Sequence, residues 1–301
     1  MAQAAFTSDV TRRASEPDGP PPQRAKKVSW LRMVLLILGA VLFLFPFYYM
    51  FIASLQAEPD TSLAGAFPTG GFTLDNYRDI NGRVNLGRSL VNSGIFTGAV
   101  ILCTVVFGLL AGYALARLHF RGRGTLFAAM LLVQVIPFQL LMIPLYVMVV
   151  RSYGLADSYL GMIAPFAINA TAVFVFRQFF LQLPEDLFSA ARIDGAGELR
   201  ILWSIALPLV RPAVLTAVLL TFIGPWNEFL WPFLITKDAD LQPLAVSLAN
   251  YISSVAGRAA NPYGAILAGA CVLAAPAACA FDQRHGAAGC AAARSRPWLG
   301  L

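Results

Sequence analysis

Between Met33 and Ala53 the chain carries no charged side chain, and four further charge-free windows follow at Ser89–Ala116, Gly124–Val150, Ser158–Phe176 and Ala259–Phe281. A sixth apolar window, Pro212–Thr236, holds Glu228 as its single charge. A helix crossing a hydrocarbon core needs about 20 apolar residues, so each window is long enough to be a span. The apolar residues run continuously and do not alternate. Lipid supplies no partner for backbone N–H and C=O groups, which a helix satisfies within itself. The reading is an all-α membrane protein with six transmembrane helices, the first from Trp30 to Ser54. An uncleaved first helix is expected, because the apolar part of a removable leader would be only about 7–15 residues long.

Composition agrees. Hydrophobic residues make up 58% and charged residues 13%, against about 25% charged in ordinary globular proteins. The net charge of +6 reads as topology and not as nucleic-acid binding, since no basic surface with interleaved aromatics is visible. With the N-terminus inside, sixteen of the 22 Lys and Arg fall in inner segments and six in outer ones. Both termini are therefore expected in the cytoplasm. Residues 1–28 read as a disordered cytoplasmic tail, 29–283 as the six-helix membrane domain, and 284–301 as a second cytoplasmic tail.

Neither a catalytic nor a metal site is expected. Cys103, Cys271, Cys279 and Cys290 lack CxxC spacing, and His119 and His285 lie far apart among arginines. Prolines at positions 46, 137, 144, 165, 225, 232 and 276 are expected to kink the spans, which membrane helices tolerate. Gly94-x-x-x-Gly98 and Gly108-x-x-x-Gly112 mark either a closely packed helix interface or the glycine content common in membrane helices.

Residues 183–212 break the apolar pattern, with seven charges between two spans, from Glu185 to Arg211. A polar helical segment there has no use for lipid, so a soluble partner is expected to dock on it. Pro184 suits a first helical turn, and Glu185 and Asp186 place negative charge at the positive end of the helix dipole. Asp194-Gly195 should end that helix, glycine taking the left-handed conformation a stop requires. A second helix is expected from Gly197 to Leu207, stopping before Pro208. Ala190, Ala191 and Gly195 then form a small-residue elbow that a partner can approach closely.

The spacing Ala190-Ala191, three residues, Gly195, nine residues, then Ile205, Leu207 and Pro208 resembles the cytoplasmic coupling motif of ABC importer permeases. Ser189 stands where that family usually has glutamate. Further segments resemble the carbohydrate-uptake permeases, in particular the smaller permease subunit of maltose-type importers, over about residues 30–270. They are Gly112-Tyr113-Ala114-Leu115-Ala116-Arg117, Ile136-Pro137, Ile143-Pro144-Leu145-Tyr146, Arg177-Gln178-Phe179-Phe180, Trp226 to Pro232, and Asn261-Pro262-Tyr263-Gly264.

The resemblance implies a coupling helix between the fourth and fifth spans. Its ATPase-coupling positions are Ser189, Ala190, Ala191, Asp194, Gly195, Ile205, Leu207 and Pro208. It also implies a second permease subunit, a dimer of ATP-binding subunits holding ATP and Mg, and a periplasmic or lipid-anchored solute-binding protein. The setting is the cell inner membrane and its lipid. The chain has no Gly-x4-Gly-Lys-[Ser/Thr] loop, so it is expected to transmit the power stroke and not to hydrolyse ATP. A neutral Ser189 can offer only an uncharged hydrogen bond at the dock, which implies weakened or adapted coupling.

The implied cargo is a sugar or oligosaccharide. The same architecture could import glycerol phosphate, a polyamine or an osmolyte. An ion-coupled secondary transporter would need no such loop and would favour several buried acids and paired halves. Glu228 is either a functional group in the solute path or a residue near the outer interface, where charge costs less. Trp226, Asn227 and Trp231 offer ring faces and amide bonds that suit sugars, while tryptophans also populate the interfacial belt. Past Ala270 the chain becomes rich in Ala and Cys, and a frameshift, genuine or from sequencing, is the reading of the 284–301 tail.

Overall fold

The computed structural model describes residues 30–60, 62–67, 71–255 and 261–277. The expected tails 1–28 and 284–301, with Cys279, Cys290 and His285, lie outside the described residues. The chain divides into two compact units, residues 1–47 and 48–301. In the first, the described residues belong to helix α1 (Trp30–Ser54), whose large side chains from Trp30 to Phe45 are mostly exposed. The second unit holds everything else, and its described elements are helices joined by loops, save one isolated antiparallel bridge between Gln56 and Phe72.

Helix α2 (Asp75–Val84) ends at Asn85, whose left-handed backbone (φ 51°) turns the chain directly into α3 (Leu86–Arg117). The Asn85 side chain caps α3 by accepting the Arg88 N–H at 3.3 Å. At 32 residues, α3 is about 48 Å long, well beyond the ~30 Å of a hydrocarbon core. This one helix serves three separate cores in sequence. Leu86 packs with Ile80, Leu244 and Tyr251. Phe96 and Val100 pack with Met142, Met162 and Trp231. Leu109, Tyr113 and Ala116 pack with Phe176, Phe180, Phe188 and Ile201.

The other apolar windows do not form straight rods. Helices α4 (Arg123–Val133) and α5 (Phe138–Ser152) meet at 93°, α6 (Tyr159–Phe166) and α7 (Ala170–Gln182) at 49°. Pro137 sits at the first break with extended backbone, and Asn169 caps α7 at the second by accepting the Ala172 N–H at 3.1 Å. Two helices, α1 and α3, are long and apolar enough to cross a membrane, and up to five if each bent pair is one span. Near the end of the chain, α12 (Leu244–Val255) and the shorter apolar helix α13 (Tyr263–Ala277) pack on the start of α3.

The paired glycines of α3 behave differently. A Cβ on Gly112 would lie 2.6 Å from the Phe176 Cβ of α7, and one on Gly108 3.2 Å from its ring. A Cβ on Gly94 or Gly98 would meet nothing within 4 Å. Only the second pair makes close helix packing in this chain.

Candidate functional site: a two-helix elbow chained to α3

The 183–212 segment folds as two helices with a sharp elbow. Helix α8 (Glu185–Ile193) begins after Pro184, which is the extended residue before the first turn and not within it. Glu185 and Asp186 lie in that turn. Asp194 closes α8, and Gly195 is left-handed at φ +79°, donating its N–H to the Arg192 carbonyl at 3.0 Å while Ala196 donates to Ala191 at 2.9 Å. The second helix needs a correction. It does not stop before Pro208: α9 runs Glu198–Leu209, with Leu202–Ala206 widened into a π-turn. Proline lacks an N–H and crowds the carbonyl four residues back, and the wider turn relieves both problems. The chain breaks instead at Val210, bending 80° into α10 (Arg211–Asn227).

One face of this elbow belongs to the core and the other to solvent. Phe188, Ala191, Ile201, Leu202 and Ala206 are buried against α3 and α7. Ser189, Ala190, Asp194, Gly195 and Pro208 are exposed, and Ile205 and Leu207 are half-buried. Ile193 (85%), Leu199 (66%) and Trp203 (50%) also stand exposed on the elbow.

A charged ring fastens the elbow to α3. The guanidinium of Arg117, the last residue of α3, binds the Glu185 carboxylate and the carbonyls of Phe180 and Leu183. It lies 4.1 Å over the Phe188 ring. One turn earlier, the Tyr113 hydroxyl donates to Glu198 Oε2 at 2.5 Å. Arg192 joins the two acids, at 2.8 Å to Glu198 Oε1 and 3.3 Å to Glu185 Oε1. The Arg192 guanidinium, helped by the Tyr113 hydroxyl and opposed by burial, holds the Glu198 carboxyl below the ordinary glutamate range. Sequence reading missed this ring. Arg117 closes an apolar window and the Gly112–Arg117 segment, and neither feature marks it as part of a ring.

The second candidate region lies at the end of α10. Glu228 is not inside a helix: its backbone is extended (ψ 120°) and separates α10 from α11 (Leu230–Ile235). Its Oε1 accepts the N–H groups of Leu230 and Trp231 at 3.1 and 3.2 Å, capping α11. Glu228 also lines a cavity of about 200 Å³ with Val100, Phe166, Asn169, Thr221 and Pro225. An adjoining cavity of about 160 Å³ shares Asn169 and Thr221 and adds Thr171. Asn227 is exposed and donates to the Ile223 carbonyl at 3.0 Å. The two tryptophans lie in the core. The Trp226 indole donates to the Leu273 carbonyl at 2.9 Å and stacks on Phe222. Trp231 is fully buried and donates to the Gly161 carbonyl at 3.2 Å. The structure thus brings Glu228 together with Asn169 and Thr221, polar residues the sequence did not single out. Among the described residues no cluster of His, Cys, Asp or Glu could hold a metal ion.

The family of binding-protein-dependent transport system inner membrane components matches residues 104–281, which include the whole elbow. The sn-glycerol-3-phosphate transport system permease protein UgpE of Yersinia enterocolitica is 35% identical over 228 residues, covering 73% of this chain and 81% of that protein. The arabinooligosaccharides transport system permease protein AraQ of Halalkalibacterium halodurans is 32% identical, covering 87% and 94%. AraQ of Bacillus subtilis is 33% identical, covering 75% and 78%. In fold, the chain is similar to a chain in the crystal structure of a bacterial ABC transporter involved in the import of the acidic polysaccharide alginate, with a TM-score of 0.75, 23% identity, and coverage of 89% and 99%. The chain belongs to the family of binding-protein-dependent transport system inner membrane components, the permease subunits of ABC importers.

Proposed function

We propose that this chain crosses the membrane six times, with both termini in the cytoplasm, and that its 183–212 elbow is the coupling loop on which an ATP-binding subunit docks. The observation that carries this is the two-faced elbow: Phe188 and Ala191 are built into the α3–α7 core, while Ile193, Leu199 and Trp203 stand exposed. In this reading the α4–α5, α6–α7 and α10–α11 pairs are broken spans, and α13 belongs to the sixth. A second permease subunit completes the pore. An ATPase dimer holding ATP and Mg drives it from the cytoplasm, and a periplasmic or lipid-anchored binding protein delivers the solute.

The cargo we infer is a sugar or oligosaccharide, in keeping with the arabinooligosaccharide relatives. The glycerol-3-phosphate relatives support a phosphorylated polyol as a second reading. Glu228 and Asn169, at breaks between segments, and Thr221 of α10, which lines the same cavity, are the polar groups we assign to the solute path. Detergent co-purification with the cognate ATPase tests the dock, comparing wild type with Gly195→Asp. Capture by the wild type and loss in the variant is expected. Failure of the wild type to capture any ATPase overturns the assignment.

A further inference from the structure

Arg117 is the only buried Asp, Glu, Lys or Arg among the described residues. A lone buried cation is expensive to hold, and the cost falls only when its donors are matched by acceptors. Here the acceptors come from three places on one corner of the chain. The carbonyls of Phe180 and Leu183 are end groups of α7, and the Glu185 carboxylate opens α8. The planar guanidinium serves all three through its two terminal nitrogens while stacking on Phe188, its Nε–H staying without a partner, and a lysine ammonium cannot reproduce that geometry.

The tie is doubled. Tyr113 and Arg117 are four residues apart, so they share one face of α3. They hold the two helices of the elbow separately, Arg117 through Glu185 on α8 and Tyr113 through Glu198 on α9. Arg192 closes the chain between the two acids. Displacing the elbow without displacing α3 would leave the Arg117 charge buried and unpaired. Energetic coupling between sites travels through such contiguous networks of polar contacts and rigid elements.

We propose that Arg117, seconded by Tyr113, is the positioning residue that makes the elbow and α3 move as one body, so that a displacement applied at the elbow becomes a displacement of the central helix. This rests on the reading of the elbow as the ATPase dock and adds to it a specific mechanical joint. Because α3 also supplies the cores around Trp231 and around Leu244, it carries that displacement along the length of the subunit.

The full transporter, reconstituted in proteoliposomes with its partner permease, ATPase and binding protein, tests this. Solute uptake and ATP hydrolysis are measured together for wild type, Arg117→Lys and Tyr113→Phe. Both variants should retain ATPase capture and hydrolysis. Solute moved per ATP should fall by about tenfold in Arg117→Lys, equivalent to about 1.4 kcal/mol of lost coupling, and by less in Tyr113→Phe. A merely structural role would lower the melting temperature and the yield of assembled complex but leave that ratio unchanged in the assembled fraction. An unchanged ratio overturns the proposal. If Arg117→Lys does not assemble, the Tyr113→Phe ratio decides alone, since that variant keeps the ring in its core. Absence of ATPase from the wild-type complex would instead sink the docking assignment itself, an outcome distinguishable from intact docking with unaltered coupling.

Discussion

Gly112 of α3 faces Phe176 of α7 so closely that a Cβ at position 112 would fall 2.6 Å from the Phe176 Cβ and 3.0 Å from the Arg177 backbone nitrogen. Two effects compete in Gly112→Ala. Alanine favours a helix interior by about 1 kcal/mol, while forcing a methyl group into filled space costs about 1–3 kcal/mol. The obstacle includes backbone, which cannot swing aside, so overpacking wins. We expect Gly112→Ala to melt at lower temperature in detergent, and Gly98→Ala, with open space around it, to melt no lower than wild type. Equal melting temperatures for the two variants would contradict this account of how α3 and α7 pack.

Gly195 separates backbone strain from surface access. Its φ of +79° is left-handed, yet a Cβ there would meet nothing within 4 Å. Alanine in that conformation costs about 1 kcal/mol, and asparagine less. Stability should therefore fall in the order Gly, Asn, Ala. If the elbow must be approached closely by the ATPase, capture should fall in the order Gly, Ala, Asn, following side-chain size. Melting curves and co-purification on the same three proteins read the two orders. Capture that simply tracks stability would mean that Gly195 serves the turn alone.

These two glycines show what could be read from the sequence. Charge-free windows locate the apolar helices because lipid penalises charge, and the Asp194-Gly195 stop is legible because few residues other than glycine take a left-handed backbone readily. The bend at Pro137 is one that the proline announces, whereas Val210 and Glu228 break helices through backbone geometry that an apolar count does not register. Pro208 misleads for the same reason: proline stops a regular α-helix, but the π-turn at Leu202–Ala206 lets α9 pass it. The charged ring is invisible because Arg117 and Glu185 are 68 residues apart in sequence, and nothing local marks either as a partner. Trp226 and Trp231 share one short motif, but their burial and their carbonyl acceptors depend on helices distant in the chain.

The ring also sets a pH response. Glu198 ionises more readily in the folded loop than in the unfolded chain, chiefly because Arg192 hydrogen-bonds to it. A depressed carboxyl contributes stability that is complete above its unfolded value and is lost as pH falls through the folded one. Loop stability should hold from pH 8 down to about 5 and decline only below the ordinary glutamate range, near 4.3. The Glu198 side chain is 38% exposed, so solvent screening keeps the contribution small. Melting temperatures of wild type and Glu198→Gln across this range should differ most at neutral pH and converge in acid. A gap that widens below pH 5 would reverse the assigned sign.

The region around Glu228 can be divided into packing and solute path by two substitutions. Trp231 is fully buried, edge-on to Phe138 at 6.0 Å, with its N–H spent on the Gly161 carbonyl. Trp231→Phe keeps a ring in place but strands that carbonyl, at a cost of about 1–3 kcal/mol. It should lower the melting temperature and leave the KM for uptake unchanged. Glu228→Gln keeps an oxygen to cap α11, so the Leu230 and Trp231 N–H groups stay satisfied, while the negative charge leaves the cavity shared with Asn169 and Thr221. It should preserve the melting temperature and change the KM by several-fold, since a hydrogen bond to a charged group exceeds a neutral one by about 1 kcal/mol. The direction carries information about cargo. A carboxylate accepts hydroxyl protons and repels phosphate, so a neutral sugar should bind less well after Glu228→Gln and a phosphorylated polyol better. An unchanged KM for both solutes would leave Glu228 as the cap of α11 and place the solute path elsewhere.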